Sequence, residues 1–338
     1  WVVFIAVVLV LLALDVGLFH RKPKTMTRKE ALGWVAVWVA LAMAYCGFVY
    51  FWKGQKTALE FLTGYIIEGS LSVDNIFVFI LIFRYFKVPA AFQHRVLFWG
   101  IFGALLMRGI MIAAGWLLLE RFHWIIYVFG ALLIASAIKM LFTSEESLEP
   151  EHNLFVRAAR RFFPITGTYH GEHFFIRLAD ARLAATPLFL TLIMIESTDV
   201  MFAIDSIPAA FAVTSDPFLV FTSNVFAILG LRSLYFALEG LMSRFKYLKV
   251  SLMLVLMYVG VKMLVSGFYP ISNTVSLLVI VTLLAVGVFA SMARTEGQVA
   301  ATGRRRHVRR VVVMVVGGTV LLTGVVMLAA PGPGLLTI

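Results

Sequence analysis

The chain has 338 residues, of which 61% are hydrophobic and 14% charged, and its mean hydropathy is +0.95. Soluble domains average roughly 45–50% apolar and about 25% charged residues, so the composition excludes an ordinary soluble protein and implies a polytopic membrane protein. The net charge of +11 would suggest a nucleic-acid partner on a soluble chain, but here it collects in loops on one side of a bilayer, and no nucleic acid is expected.

A hydrocarbon core of about 30 Å needs about 20 mostly apolar residues per helix. Ten such segments follow one another, near 1–19, 31–52, 59–83, 96–119, 124–142, 187–213, 217–242, 250–269, 274–293 and 311–330. The expected fold is therefore an all-α polytopic membrane protein of about ten transmembrane helices. The first segment carries its charge after the apolar run, in His20-Arg21-Lys22-Pro23-Lys24, the reverse of a secretory signal, and reads as a retained span. The single cysteine, Cys46, excludes an intrachain disulfide framework and a Cys-rich metal site.

Alternate loops hold 22 Lys and Arg residues against 3 in the intervening ones. The positive-inside rule then puts the N-terminus outside a plasma membrane and the 143–186 loop in the cytoplasm. That loop is the one sizeable soluble segment. It opens with Glu145, Glu146, Glu149 and Glu151, passes through Arg157, Arg160 and Arg161, and alternates apolar with polar residues from His173 to Arg182. A short helix followed by a small hairpin is expected there. His170 and His173 flank Glu172 without any zinc spacing, so they are read as solvated.

The segment 59–142 aligns with 187–268 through four anchors: Glu68 with Asp199, Asp74 with Asp205, Arg108 with Arg232, and Lys139-Met140-Leu141 with Lys262-Met263-Leu264. Three spans per copy start the second copy on the opposite side of the membrane, so the repeat is inverted. Inverted repeats characterise secondary transporters, whose sites lie near the midplane at the repeat interface, often on broken helices. The organisation is then two spans over 1–58, the first repeat over 59–142, the loop over 143–186, the second repeat over 187–268, a ninth span over 269–293, and a basic linker with an extra span over 294–338.

Glu68, Asp74, Glu196, Asp199 and Asp205 lie inside apolar segments, where each charge costs about 2.5–3.5 kcal/mol on insertion scales. Pairing with Arg108 and Arg232 in a buried salt-bridge core is the structural alternative, and Lys262 can pair or snorkel. Five acids exceed two mid-span arginines, and the surplus calls for a cation or protons. Six residues turn a helix by 600°, so each acid pair points 120° apart unless the chain unwinds near Gly69-Ser70 and Ser206-Pro208. Unwinding there would gather carboxylates, the Asn75 amide, the Ser72 and Ser206 hydroxyls and backbone carbonyls. Oxygen donors of this kind suit Mn²⁺, Mg²⁺ or Ca²⁺ rather than Zn²⁺ or Cu⁺.

Two other classes compete. An intramembrane aspartyl protease would show Tyr-Asp and Gly-x-Gly-Asp motifs, and a zinc protease His-Glu-x-x-His; the sequence contains none of these, so no enzyme is expected. A membrane scaffold with purely structural acids is the remaining alternative.

Several stretches resemble the TerC family: Leu14-Asp15-Val16-Gly17-Leu18-Phe19-His20-Arg21, Glu68-x5-Asp74-Asn75, Ala185-Thr186-Pro187-Leu188, Glu196-Ser197-Thr198-Asp199, Phe202-Ala203-Ile204-Asp205-Ser206-Ile207-Pro208-Ala209, and the run from Thr222-Ser223-Asn224 to Leu231-Arg232-Ser233-Leu234-Tyr235-Phe236. The resemblance covers roughly residues 11–293. It implies an integral membrane protein of a family named for tellurium resistance, with members associated with Mn²⁺ export and with supplying Mn²⁺ to exported proteins. It also implies that Glu68, Asp74, Glu196, Asp199 and Asp205 bind the ion, with Mn²⁺ as transported substrate ahead of Ca²⁺ or Mg²⁺. The expected partners are the divalent ion, the bilayer, and membrane or exported proteins. A scaffold or chaperone in tellurite or metal stress is the alternative on this reading. The tail departs from the family pattern: Arg304-Arg305-Arg306-His307-Val308-Arg309-Arg310 leads into an extra span and Pro331-Gly332-Pro333-Gly334, similar to a small actinobacterial membrane segment.

Overall fold

Inside a bilayer every backbone amide and carbonyl needs a partner within the protein, which for a chain without long alternating strands means helices. A computed structural model describes residues 1–19, 27–142, 153–177, 182–239, 247–269 and 271–297. The acidic opening of the long loop and residues 298–338 of the basic linker and extra span lie outside the described residues. Within them the chain forms α1 (Val2–Phe19), α2 (Arg28–Lys53), α3 (Gln55–Phe86), α4 (Ala90–Arg121), α5 (Ile125–Phe142), α6 (Leu154–Phe162), β1 (Phe175–Arg177), β2 (Leu183–Ala185), α7 (Pro187–Phe211), α8 (Pro217–Leu229), α9 (Leu231–Leu238), α10 (Leu248–Val265) and α11 (Asn273–Gly297).

Local sequence explains several boundaries. Thr27 and Glu30 make a reciprocal capping box at the start of α2, satisfying two amides that a helix start leaves open. Asp216 accepts from the Phe218 amide ahead of Pro217, which opens α8. At the end of α3, Lys87 takes the left-handed conformation (φ 53°), and Pro89 then turns the chain into α4.

Six helical stretches are long and apolar enough to cross a membrane: Lys29–Lys53, Gln55–Phe86, Ala90–Arg121, Pro187–Phe211, Pro217–Leu238 and Asn273–Ser291. Six of the ten expected spans meet that measure among the described residues. The other segments predicted there are helical but shorter: α1, α5 and α10 have 18 residues each. The seventh predicted segment breaks at Gly230 into α8 and α9. The expected unwinding near Gly69-Ser70 and Ser206-Pro208 does not occur, since α3 and α7 run unbroken through both places. Pro208 lies in the last turn of α7, where the lost amide affects only the carbonyl of Ile204.

Side-chain contacts fix how the helices run. Along α4, Gly100 faces Ile195 and Gly115 faces Phe211, so α4 and α7 point the same way. The rings of Phe61 and Phe226 lie 5.9 Å apart and those of Phe83 and Tyr235 5.5 Å apart, so α3 points with α8 and α9. The turn at 87–89 reverses α3 into α4, which makes α3 antiparallel to α7. Tyr127 meets Gly267 while Gly130 meets Gly260, so α5 and α10 are antiparallel as well. Ile67, Leu71, Leu133, Ala137, Ala209, Leu252, Val259 and Met263 form a core joining this α5–α10 pair to α3 and α7.

Polar contacts tie both ends. At one end Thr214 donates to Glu60 at 2.9 Å, Asn273 to Glu60 at 3.3 Å and Lys262 to Asn273 at 3.1 Å. At the other the soluble loop forms the expected short helix, α6, and a hairpin in which β1 pairs antiparallel with β2. Tyr169 fastens that loop by donating to the Phe86 carbonyl at 2.7 Å, and Glu172 pairs with Arg95 at 3.4 Å.

Candidate functional site

The helical period places Glu68, Ser72 and Asn75 on one stripe of α3, at i, i+4 and i+7, and Asp199 and Ser206 on one stripe of α7. All five are buried. Glu68 of the first stripe and Asp199 and Ser206 of the second meet Arg108 of α4, which is only 1% exposed. Its guanidinium grips Asp199 side-on, with Nη2 to Oδ1 at 3.0 Å and Nε to Oδ2 at 3.2 Å. Nη1 pairs with Glu68 Oε1 and reaches Ser206 Oγ at 3.4 Å and Asn224 Oδ1 of α8 at 3.5 Å. Four helices therefore converge on one cation. Fork-shaped contact of this kind is the strong, directional form of an Arg–carboxylate pair.

Two formal negative charges face one positive charge at this point. The oxygens gathered round the guanidinium come from two carboxylates, a hydroxyl and an amide, a donor set of the kind that hard divalent cations take. Glu68 Oε2, Ser72 Oγ and Asn224 Nδ2 are buried without a hydrogen-bond partner in the described structure. Buried polar atoms are nearly always satisfied, so these three are exceptions among the buried side chains.

The other predicted residues fall elsewhere. Six residues beyond Glu68 and Asp199, Asp74 and Asp205 lie about 9 Å further along their helices. Because α3 and α7 are antiparallel, the two aspartates move in opposite directions and end about 18 Å apart along the helix axes. Asp205 accepts from Ser136 of α5 at 2.6 Å, and Asp74 lies on the α3 stripe of Ile67 and Leu71, which share one core cluster with residues of α5, α7, α10 and α11. The acids thus fall into an inner pair at Arg108 and an outer pair away from it, with Asp205 facing α5. Glu196 lies over Gly103 of α4, where any side chain would collide with its carboxylate. Arg232 is buried in the first turn of α9, and Lys262 belongs to the Glu60–Asn273 tie. Among the described residues no three His, Cys, Asp or Glu side chains gather into one cluster.

Ser136 and Asn224 went unnoticed as site residues in the sequence. Each is a polar residue inside an apolar run, and Asn224 closes the buried triplet Thr222-Ser223-Asn224. That signal was readable, but the pairing of Ser136 with Asp205 depends on how α5 packs.

A family model described as "Integral membrane protein TerC family" matches residues 53–299. A Myxococcus xanthus protein named "Uncharacterized membrane protein STKORF319" is 51% identical over 88% of this chain and 92% of its own length. A Salmonella typhi protein named "Putative membrane-bound redox modulator Alx" is 45% identical over 85% of this chain and 91% of its own. A Rickettsia bellii membrane protein is 38% identical over 87% and 97%. No solved structure matches.

Proposed function

The chain belongs to the TerC family of integral membrane proteins, and from that premise we propose that it is a divalent-cation transporter that carries Mn²⁺ out of the cytoplasm by alternating access. One observation carries the reading: Glu68 and Asp199, matched positions of the two sequence repeats, close on a single buried guanidinium from helices that run in opposite directions. A place that holds Arg⁺ between two carboxylates is a place that favours cations.

The inverted-repeat architecture belongs to the same reading. It is supported by the pairing of matched helices: α3 neighbours α7, α4 neighbours α8, and α5 neighbours α10, with α3–α7 and α5–α10 antiparallel. The oxygen donors favour Mn²⁺, with Ca²⁺ or Mg²⁺ behind it, over softer ions. Export is the direction implied by the family resemblance. The outside N-terminus and the cytoplasmic 143–186 loop follow from the charge bias of the loops. Transport needs no bond-making step, and no catalytic role is assigned to any residue.

The buried Glu68–Arg108–Asp199 cluster also favours a second reading, a membrane scaffold or chaperone in metal or tellurite stress whose acids only hold helices together. A redox role, as in the names of some relatives, cannot rest on a dithiol within these residues, since Cys46 is the single cysteine. Flux of Mn²⁺, Mg²⁺, Ca²⁺ and Zn²⁺ into vesicles carrying the purified protein separates the readings. Saturable Mn²⁺ flux that exceeds Zn²⁺ flux at equal free concentration is expected. Vesicles that match protein-free controls for every ion would leave the scaffold.

A further inference from the structure

We propose that Arg108 is a tethered counter-cation, which takes the carboxylates of Glu68 and Asp199 whenever the transported ion leaves and so allows the ion-free protein to change conformation. The inference rests on the transport reading and adds a step that the reading does not contain.

The argument starts from the cost of bare charge. Two carboxylates facing each other in a buried site repel one another, and each is poorly solvated there. A transporter that released its cation with nothing in exchange would have to move that uncompensated pair through the membrane interior. Arg108 removes the difficulty. It already holds the atoms a metal would use, both Asp199 oxygens and Glu68 Oε1, together with the Ser206 hydroxyl and the Asn224 carbonyl oxygen.

Competition follows from the same geometry. A guanidinium and a divalent ion cannot share these oxygens, because like charges at contact distance in a low-dielectric site repel strongly. Binding of the ion must therefore displace the guanidinium, and release must call it back. The side chain is suited to this exchange. It comes from α4, whereas the carboxylates come from α3 and α7, so it can leave without breaking either ligand-bearing helix. Neighbouring Gly109 and nearby Gly103 leave α4 without side chains on the faces that meet Phe221 and Glu196. Arg also remains charged at any physiological pH, so the exchange draws no proton from either side.

Net transport and exchange respond differently to losing Arg108. Net efflux requires the ion-free protein to return, whereas exchange of Mn²⁺ for Mn²⁺ moves only the loaded form. In vesicles, Arg108→Gln should lower net efflux at least tenfold while radiolabelled Mn²⁺ exchange persists. Its half-saturating Mn²⁺ concentration should fall about tenfold, since an internal competitor has been removed. Arg108→Lys should restore part of the net flux. Should Arg108→Gln not fold, the wild-type protein still reports: saturating Mn²⁺ should make Arg108 reactive to phenylglyoxal, read by peptide mass spectrometry, where Mg²⁺-free, Mn²⁺-free protein is protected. Net efflux that follows exchange in a folded Arg108→Gln protein would overturn the proposal, as would Mn²⁺-independent protection of Arg108. Either result, with wild-type flux intact, leaves the transport reading standing. Wild-type protein without Mn²⁺ flux overturns both.

Discussion

The main chains of Gly130 on α5 and Gly260 on α10 meet with no side chain between them. A Cβ on Gly130 would stand 2.9 Å from the Gly260 carbonyl oxygen, and one on Gly260 2.8 Å from that of Gly130. Small residues at helix crossings are how membrane helices approach closely, because lipid offers no hydrophobic drive to press them together. Gly260→Leu should therefore force the pair apart and cost about 1–3 kcal/mol. Gly69→Ala, in a helix interior with open space around it, should be neutral or stabilising by up to about 1 kcal/mol. Thermal unfolding in detergent compares them, and equal stability of the two variants would contradict this packing.

The Arg108 cluster predicts a conditional loss. Asp199→Asn removes the two-point contact, but Glu68 still pairs with Arg108, so the loss should stay below the roughly 3–5 kcal/mol of a fully broken buried pair. Glu68→Gln should cost less, because it leaves the two-point contact with Asp199 intact. Adding Arg108→Met to Asp199→Asn should lower stability further, because it strands the buried Glu68 carboxylate. No further loss in the double variant would show that Glu68 is held by something other than Arg108.

Asp74 and Asp205 make the opposite case, because neither is among the partners of the Arg108 guanidinium. Asp205→Asn keeps an oxygen that can accept from Ser136, so its folded yield should remain near wild type. If the outer pair serves the ion, either Asp74→Asn or Asp205→Asn should reduce Mn²⁺ flux at least tenfold, which corresponds to about 1.4 kcal/mol or more at the limiting step. Normal flux in both folded variants would confine the ion's route to the inner pair.

The orientation is checked by labelling. With Cys46→Ala as background, Arg157→Cys should react only from the cytoplasm and Gln55→Cys only from outside; both positions are exposed. Reversed labelling would invert the protein in the membrane. Identical sidedness would break the span order between them.

Alkaline pH should loosen the soluble loop. Burial raises the ionisation of Tyr169 above its ordinary range, opposed in part by a hydrogen bond with Thr191. A raised folded-state value means the contribution is complete below the unfolded value of about 10 and declines as pH rises past it. Hydrogen exchange around residues 163–177 should quicken above about pH 10. Tyr169→Phe should quicken it at neutral pH and flatten the pH response, and an unchanged exchange rate would mean that the contact to Phe86 does not hold the loop.

By itself the sequence determined the class of protein and the identity of the unusual residues. Apolar runs of span length, a few acids and arginines inside them, and anchors recurring between 59–142 and 187–268 are linear facts, because hydropathy and spacing are properties of the chain alone. The short helix and hairpin of the loop were legible for the same reason. What only the tertiary structure decided is which acid meets which cation. Spacing gave Glu68 and Asp74 different directions on one helix, and unwinding was the sole way to make them converge locally. The packed helices offer another solution: α3 and α7 stay whole, and the partner of each inner acid arrives on a third helix, α4. The outer aspartates separate because antiparallel packing turns equal spacings into opposite displacements, a consequence that no single helix contains.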